Sequence, residues 1–335
     1  MHSMISKPLI AVGTLGGTIS MAPTSGNDGA VPRLGAQELL GGLGDLPVDV
    51  HAETLAGIGS ASMDFATLLR CRDWGLKQVA DGADGFVVVQ GTDTLEETAY
   101  FFELTWPHDV PVVVTGAMRN ASLLSADGPA NLRNALIVAA DPRSRGRGTL
   151  VTLNDDVHQA RWVRKAHSSS LQAFASTPAG PLGMVVEGAV HYFHPSGTRP
   201  PALAVDDTGF SGLVPILETG LDDSGAVLEA VVASGVKGVV LAASGVGHVS
   251  SSMADLLQRI VPELPVVVAS RTGAGPTFRA TYGFHGSESS MIAMGATMAG
   301  WLDARKARVL LHTLLASGAD RARIEREFRL RGDLD

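Results

Sequence analysis

The feature that most constrains this chain is a series of short, continuous apolar runs rich in β-branched residues. They are Leu9–Val12, Phe86–Gln90, Val112–Thr115, Leu150–Leu153, Val214–Leu217, Val239–Leu241 and Val266–Ala269. A half-exposed strand alternates apolar and polar residues, whereas a strand covered on both faces reads as an unbroken run. Segments of helical periodicity fall between several of the runs. Phe65–Ala80 carries apolar residues at Phe65, Leu68, Leu69 and Leu76, and Thr94–Trp106, Ala130–Ala140, Ala226–Ala233, Met253–Ile260 and Ala304–Leu315 are similar. Buried strands alternating with helices predict an α/β fold on a largely parallel sheet.

At 335 residues the chain is too long for one ordinary core and suits about two domains. The segment 195–211, with Pro195, Pro200 and Pro201 among Gly, Ser, Thr and Asp, breaks the strand–helix pattern and reads as a linker. It divides a larger N-terminal α/β domain, 1–200, from a smaller C-terminal α/β domain, 212–335. Aromatics are 5% of the chain, so both cores are expected to be aliphatic.

Several function classes are disfavoured. A formal net charge of −8 with no basic patch argues against nucleic-acid binding. The single cysteine, Cys71, excludes an intrachain disulfide and reads as a small core residue on a helix. No apolar signal core precedes the first strand, and no run approaches the ~20 residues that span a bilayer, so a soluble, cytoplasmic protein without membrane partners is expected. There is no GxxxxGK[ST], no GxGxxG after the first strand, no HExxH and no GxSxG. His191 and His194 lie three apart on a strand-like segment and would face opposite sides, so no metal and no cofactor are expected.

In open parallel sheets ligands bind beyond the C-terminal strand ends. Three turns qualify: Gly13-Thr14-Leu15-Gly16-Gly17-Thr18-Ile19, Gly91-Thr92-Asp93-Thr94-Leu95-Glu96-Glu97 and Gly116-Ala117-Met118-Arg119. Thr18 follows a glycine pair that permits a sharp turn and close ligand approach, although its hydroxyl alone equally suits a turn or helix cap. Asp93 and Glu96 have the spacing of a capping box for the following helix, and the amides there could also hold a carboxylate or an oxyanion. Lys165, in Arg161-Trp162-Val163-Arg164-Lys165 beyond the Leu150–Leu153 strand, reads alone as part of a solvated basic cluster. In a dry pocket a lysine can act as base for a threonine hydroxyl, with a carboxylate orienting it.

These stretches, with Ser125-Ala126-Asp127-Gly128-Pro129 and Lys306-Ala307-Arg308-Val309-Leu310-Leu311, resemble the bacterial L-asparaginase family along nearly the whole chain. Gly91-Thr92-Asp93-Thr94-Leu95-Glu96-Glu97-Thr98-Ala99-Tyr100 is the most specific of them. The resemblance implies an amidohydrolase of asparagine catabolism that converts L-asparagine to L-aspartate and ammonia. Thr18 would be the acylated nucleophile, and Thr92, Asp93 and Lys165 would form a proton relay around it. Ser60, in Ile58-Gly59-Ser60, would hold the substrate α-carboxylate, Asp93 would also take the α-ammonium, Thr92 would be a further substrate contact, and the Ala117 backbone would help polarise the amide. The family assembles as dimers of dimers, which implies a homotetramer with sites shared between subunits and Glu288 as the acid supplied by a neighbour.

The chain departs from the family at the pocket rim. Leu15 replaces a threonine, Ala61 a glutamine and His248 an asparagine, and no tyrosine stands in 27–32. These changes leave open an amidase or glutaminase acting on another small amide, and beyond enzymes a non-catalytic amino-acid-binding homologue. The polar segment 20–32 after Thr18 suits a mobile loop, so Ser20, Gly26, Asn27, Asp28 and Gly29 are expected in a lid over the substrate.

Overall fold

A computed structural model describes residues 7–22, 31–32, 35–206 and 208–334. The apolar runs all form strands, with ends shifted by a few residues; Val112–Thr115 is reproduced end to end and the first run extends to Leu9–Gly16. The chain divides into two compact units, Met1–Ala202 and Leu203–Asp335, and residues 195–206 carry no helix or strand.

The larger unit is built on an eight-stranded sheet in the order Ala189–Tyr192, Gly183–Val186, Asp156–Gln159, Thr149–Leu153, Val112–Thr115, Gly85–Val89, Leu9–Gly16, Asp49–Ile58. From Thr149–Leu153 to Asp49–Ile58 all neighbours are parallel. At the other end the strands turn antiparallel. Gly85–Val89, Val112–Thr115 and Thr149–Leu153 are buried throughout, as unbroken apolar runs require. The helix Gly128–Ala140 covers one face, packing Leu132, Ala135 and Leu136 into a core with Val87, Val89, Val113 and Leu150.

The smaller unit holds a parallel four-stranded sheet, Ile216–Glu218, Val239–Ala243, Val266–Ser270 and Thr297–Met298, in that order. Val239, Leu241, Val266 and Val268 pack with Met253 and Leu257 of the helix Ser251–Ile260. Among the described residues no helix is long and apolar enough to cross a membrane.

Register fixes where the site can be. Thr14 pairs with Val89, Val89 with Thr115 and Gly16 with Ile58, so four parallel strands of the large sheet end at one edge. Their continuations are the turns that carry Thr18, Ser60, Thr92 and Ala117.

Candidate active site

The first turn is pressed against the exit of the Gly85–Val89 strand. Gly17 has φ +86°, and a Cβ there would lie 2.0 Å from the Gly91 nitrogen. Only glycine allows that approach, which sets Thr18 and Thr92 on adjoining turns. Thr18 opens a short 3₁₀ turn, Thr18–Ser20, and is half-buried. The turn is closed by Ser20, whose amide and hydroxyl both donate to the Gly17 carbonyl, at 3.0 and 2.8 Å. Ser20, expected in the lid, is buried at 2% exposure and tied into this turn. Gly26, Asn27, Asp28 and Gly29 lie outside the described residues.

Thr92 and Ser60 are buried, while the Asp93 side chain is 64% exposed. The Asp93 amide donates to Ser60 Oγ (3.1 Å), and the Ser60 hydroxyl reaches Asp93 Oδ2 (3.3 Å). Thr94 Oγ1 donates to the Ser60 carbonyl (2.8 Å). Lys165 Nζ donates to Thr92 Oγ1 at 2.9 Å and to Asp93 Oδ1 at 2.7 Å. That lysine hydrogen bond holds the Asp93 carboxyl below the usual carboxylate range. Partial burial opposes it, and the charge of Lys165 and the Ser60 hydroxyl add to the lowering.

Lys165 reaches this row by a different route from the one its position suggests. The Thr149–Leu153 strand returns as Asp156–Gln159, with Leu150 opposite Gln159, so the chain is carried away from the site edge before residue 165. A two-residue antiparallel pair, Arg164–Lys165 with Phe174–Ala175, and a hydrogen bond from the Lys165 amide to the buried Glu96 carboxylate bring it back. Sequence reasoning missed this role of Glu96. The capping box is not formed: the helix Leu95–Thr105 begins after Thr94 without a side-chain cap bond, because Asp93 faces Lys165 and Glu96 accepts from its amide.

Ala117 is fully buried in the fourth turn. Glu288 belongs to the smaller unit and is fully buried as well. Its Oε1 accepts from the Thr281 and Tyr282 amides, at 2.7 and 2.6 Å, and its Oε2 lies 3.1 Å from His248 Nε2. Burial pushes this carboxyl up, but the Tyr282, Glu288 and Thr281 amides and His248 outweigh it and hold it below the usual range. Ala61 is exposed.

A buried hydroxyl, an ammonium and a carboxylate in one hydrogen-bonded row, beside a second threonine, form a set that can move a proton away from a hydroxyl nucleophile. Comparison with known proteins agrees with that class. Residues 9–197 match the family model for the asparaginase N-terminal domain, and 213–328 that for the glutaminase/asparaginase C-terminal domain. The chain is 37% identical to a "Probable L-asparaginase" of Deinococcus radiodurans, over 96% of this chain and 98% of that protein. It is 34% identical to "L-asparaginase 2" of Escherichia coli, over 97% and 93%. The crystal structure of a "Probable Cytoplasmic L-asparaginase" from Campylobacter jejuni superimposes with a TM-score of 0.84 at 34% identity, covering 96% of this chain and 99% of that one. The chain belongs to the asparaginase family and is an amidohydrolase.

Proposed function

We propose that this protein is an L-asparaginase that hydrolyses L-asparagine to L-aspartate and ammonia through an acyl-enzyme on Thr18. The observation that carries the reading is the Thr92–Lys165–Asp93 row, set against the Thr18 turn by the Gly17–Gly91 contact. Thr18 Oγ attacks the side-chain amide carbon. Its proton passes to the relay and then to the departing nitrogen, which leaves as ammonia. Water then attacks the ester, and the proton it gives up returns to the Thr18 oxygen as aspartate is released. The oxyanion of each step faces the Ala117 peptide. Ser60 and the amides that open the Leu95–Thr105 helix suit the α-carboxylate, and the exposed Asp93 carboxylate suits the ammonium group.

Thr92 is the second candidate nucleophile, because its hydroxyl is the one Lys165 touches. Peptide mapping by mass spectrometry of enzyme quenched during turnover separates the two: the acyl group is expected on the peptide and residue of Thr18, and Thr18→Ala is expected to lose activity by about a thousand-fold or more. A Thr18→Ala enzyme of wild-type activity would sink the assignment.

Ala61 at the rim supports testing glutamine and other small amides beside asparagine by ammonia release. Glu288 is proposed to serve a neighbour's site in a homotetramer, with light scattering as the check of assembly. The likeness to the Campylobacter protein described as cytoplasmic supports a cytoplasmic location, which cell fractionation tests.

A further inference from the structure

Asp127 sits at the N-cap of the helix Gly128–Ala140, where an aspartate ordinarily accepts a hydrogen bond from a backbone amide of the helix's first turn. It does not do so here. Its Oδ2 accepts from the Met118 amide (2.9 Å) and its Oδ1 from the Arg119 amide (2.8 Å). One turn along the helix, Asn131 is buried at 2% exposure and its Nδ2 donates both to Asp127 Oδ2 (2.9 Å) and to the Gly116 carbonyl (3.0 Å). The Asn131 Oδ1 accepts from the Asn154 amide (2.9 Å), which fixes the amide's orientation. The backbone groups on both sides of Ala117 are therefore gripped by one helix start.

The gripped turn faces the site. A Cβ on Gly116 would lie 3.4 Å from Thr92 Cγ2, and one on Gly128 would meet Ile19 Cγ1 at 2.8 Å and the Ala117 methyl at 3.5 Å. The 116–119 turn thus stands between Thr92 and the residue after Thr18.

We infer that Asp127, with Asn131, is a positioning residue of the active site, holding the Ala117 peptide where the oxyanion forms; this rests on the role proposed for Ala117. A carboxylate suits the task because two amides and the Asn131 Nδ2 all need acceptors. The isosteric Asp127→Asn offers one oxygen and turns an NH₂ toward a donor.

The test is steady-state hydrolysis of asparagine by Asp127→Asn, with Thr18→Ala in parallel. The expected result is a kcat lowered by about ten-fold or more with KM within about two-fold, since a misplaced oxyanion donor affects the transition state and not the bound substrate. Far-ultraviolet circular dichroism is expected to be unchanged. A folded Asp127→Asn with wild-type kcat, or with KM raised and kcat intact, overturns the inference. If Asp127→Asn does not fold, Asn131→Ser decides: it keeps both Asp127–amide bonds, loses the grip on Gly116, and is expected to lower kcat with the same KM-independent signature. An active Thr18→Ala would instead defeat the nucleophile assignment and leave the Asp127 result to stand or fall alone.

Discussion

Replacing Gly17 by alanine combines two separable costs. Its φ of +86° is in the left-handed region, where a Cβ costs roughly 1–2 kcal/mol. The added carbon would also lie 2.0 Å from the Gly91 nitrogen and 2.2 Å from its Cα, against an ordinary contact of ~3.5 Å. Both opposing atoms are backbone, so no rotamer relieves the clash, and the two turns must part by about 1 Å or more. Overpacking of that kind adds about 1–3 kcal/mol, giving a total of about 2–5 kcal/mol. Parting the turns separates Thr18 from Thr92, and a displacement of ~1 Å can cost a hundred-fold in rate. Gly44 is the control, because its φ is +66° and nothing lies within 4 Å of the Cβ it would gain. Gly44→Ala is expected to lose only about 1–2 kcal/mol and to keep full activity. Urea unfolding and ammonia release measure both variants. Equal stability losses together with wild-type activity in Gly17→Ala would refute the close approach.

Two predictions concern the smaller unit. Lys306 is buried at 1% exposure and donates to Asp303 Oδ2 at 3.0 Å. Burial pushes the Asp303 carboxyl up, but the Lys306 charge and hydrogen bonds from the Lys306 amide and ammonium outweigh it and bring it from 3.8 to about 2. The folded value is the lower one, so the contribution, about 2 kcal/mol at ~1.36 per pH unit, is present above pH ~3.8 and is lost as pH falls through 2. Asp303→Asn should flatten acid unfolding in that window, and Lys306→Met, which removes the ammonium while the amides of Arg305 and Lys306 still hold the carboxylate, should cost about 1–3 kcal/mol at neutral pH; a loss of about zero in Lys306→Met contradicts the pairing. His312 packs its ring edge-on to Phe210 at 5.2 Å, and burial, with the Arg308 charge, pushes its imidazole down from 6.5 to about 4. Stability from the neutral ring is present above pH 6.5 and declines as pH falls toward 4, by about 3 kcal/mol at most and less to the extent that water reaches the ring. His312→Leu should therefore show a shallower pH dependence of unfolding between pH 6.5 and 4, and an unchanged slope would disprove it.

The interior of the fold is legible in the chain because burial on both faces writes itself as unbroken apolar runs such as Phe86–Val89 and Val112–Thr115. The edges are not. Asp49–Ile58 forms the last strand of the sheet, yet its residues are exposed or half-exposed and include Asp49, His51 and Glu53, so no apolar run announces it. Gly183–Val186 and Ala189–Tyr192 are short and half-covered for the same reason. The route of Lys165 could not be read either. Nothing in its neighbours shows that Asp156–Gln159 doubles back, and the contact that returns Lys165 is made by Glu96, 69 positions earlier.

The residues hardest to read are those whose local and distant uses look alike in sequence. Asp64, Ser250, Asp303 and Asp320 each open a helix and accept a hydrogen bond from a backbone amide of its first turn. Thr94 and Asp127 occupy the same position in their helices with equally competent side chains, and neither makes that bond. Both border the site: Thr94 donates to the Ser60 carbonyl and Asp127 holds the 116–119 turn. Forgoing a cap costs about 1 kcal/mol, so a chain selected for stability alone would retain it. Two such losses at one sheet edge, beside caps kept elsewhere, mark where positioning has been preferred to stability. Thr18 fits the same logic. A threonine after two glycines reads as a turn cap, but Ser20 closes that turn, which leaves capping no longer needed as the reason for the Thr18 hydroxyl.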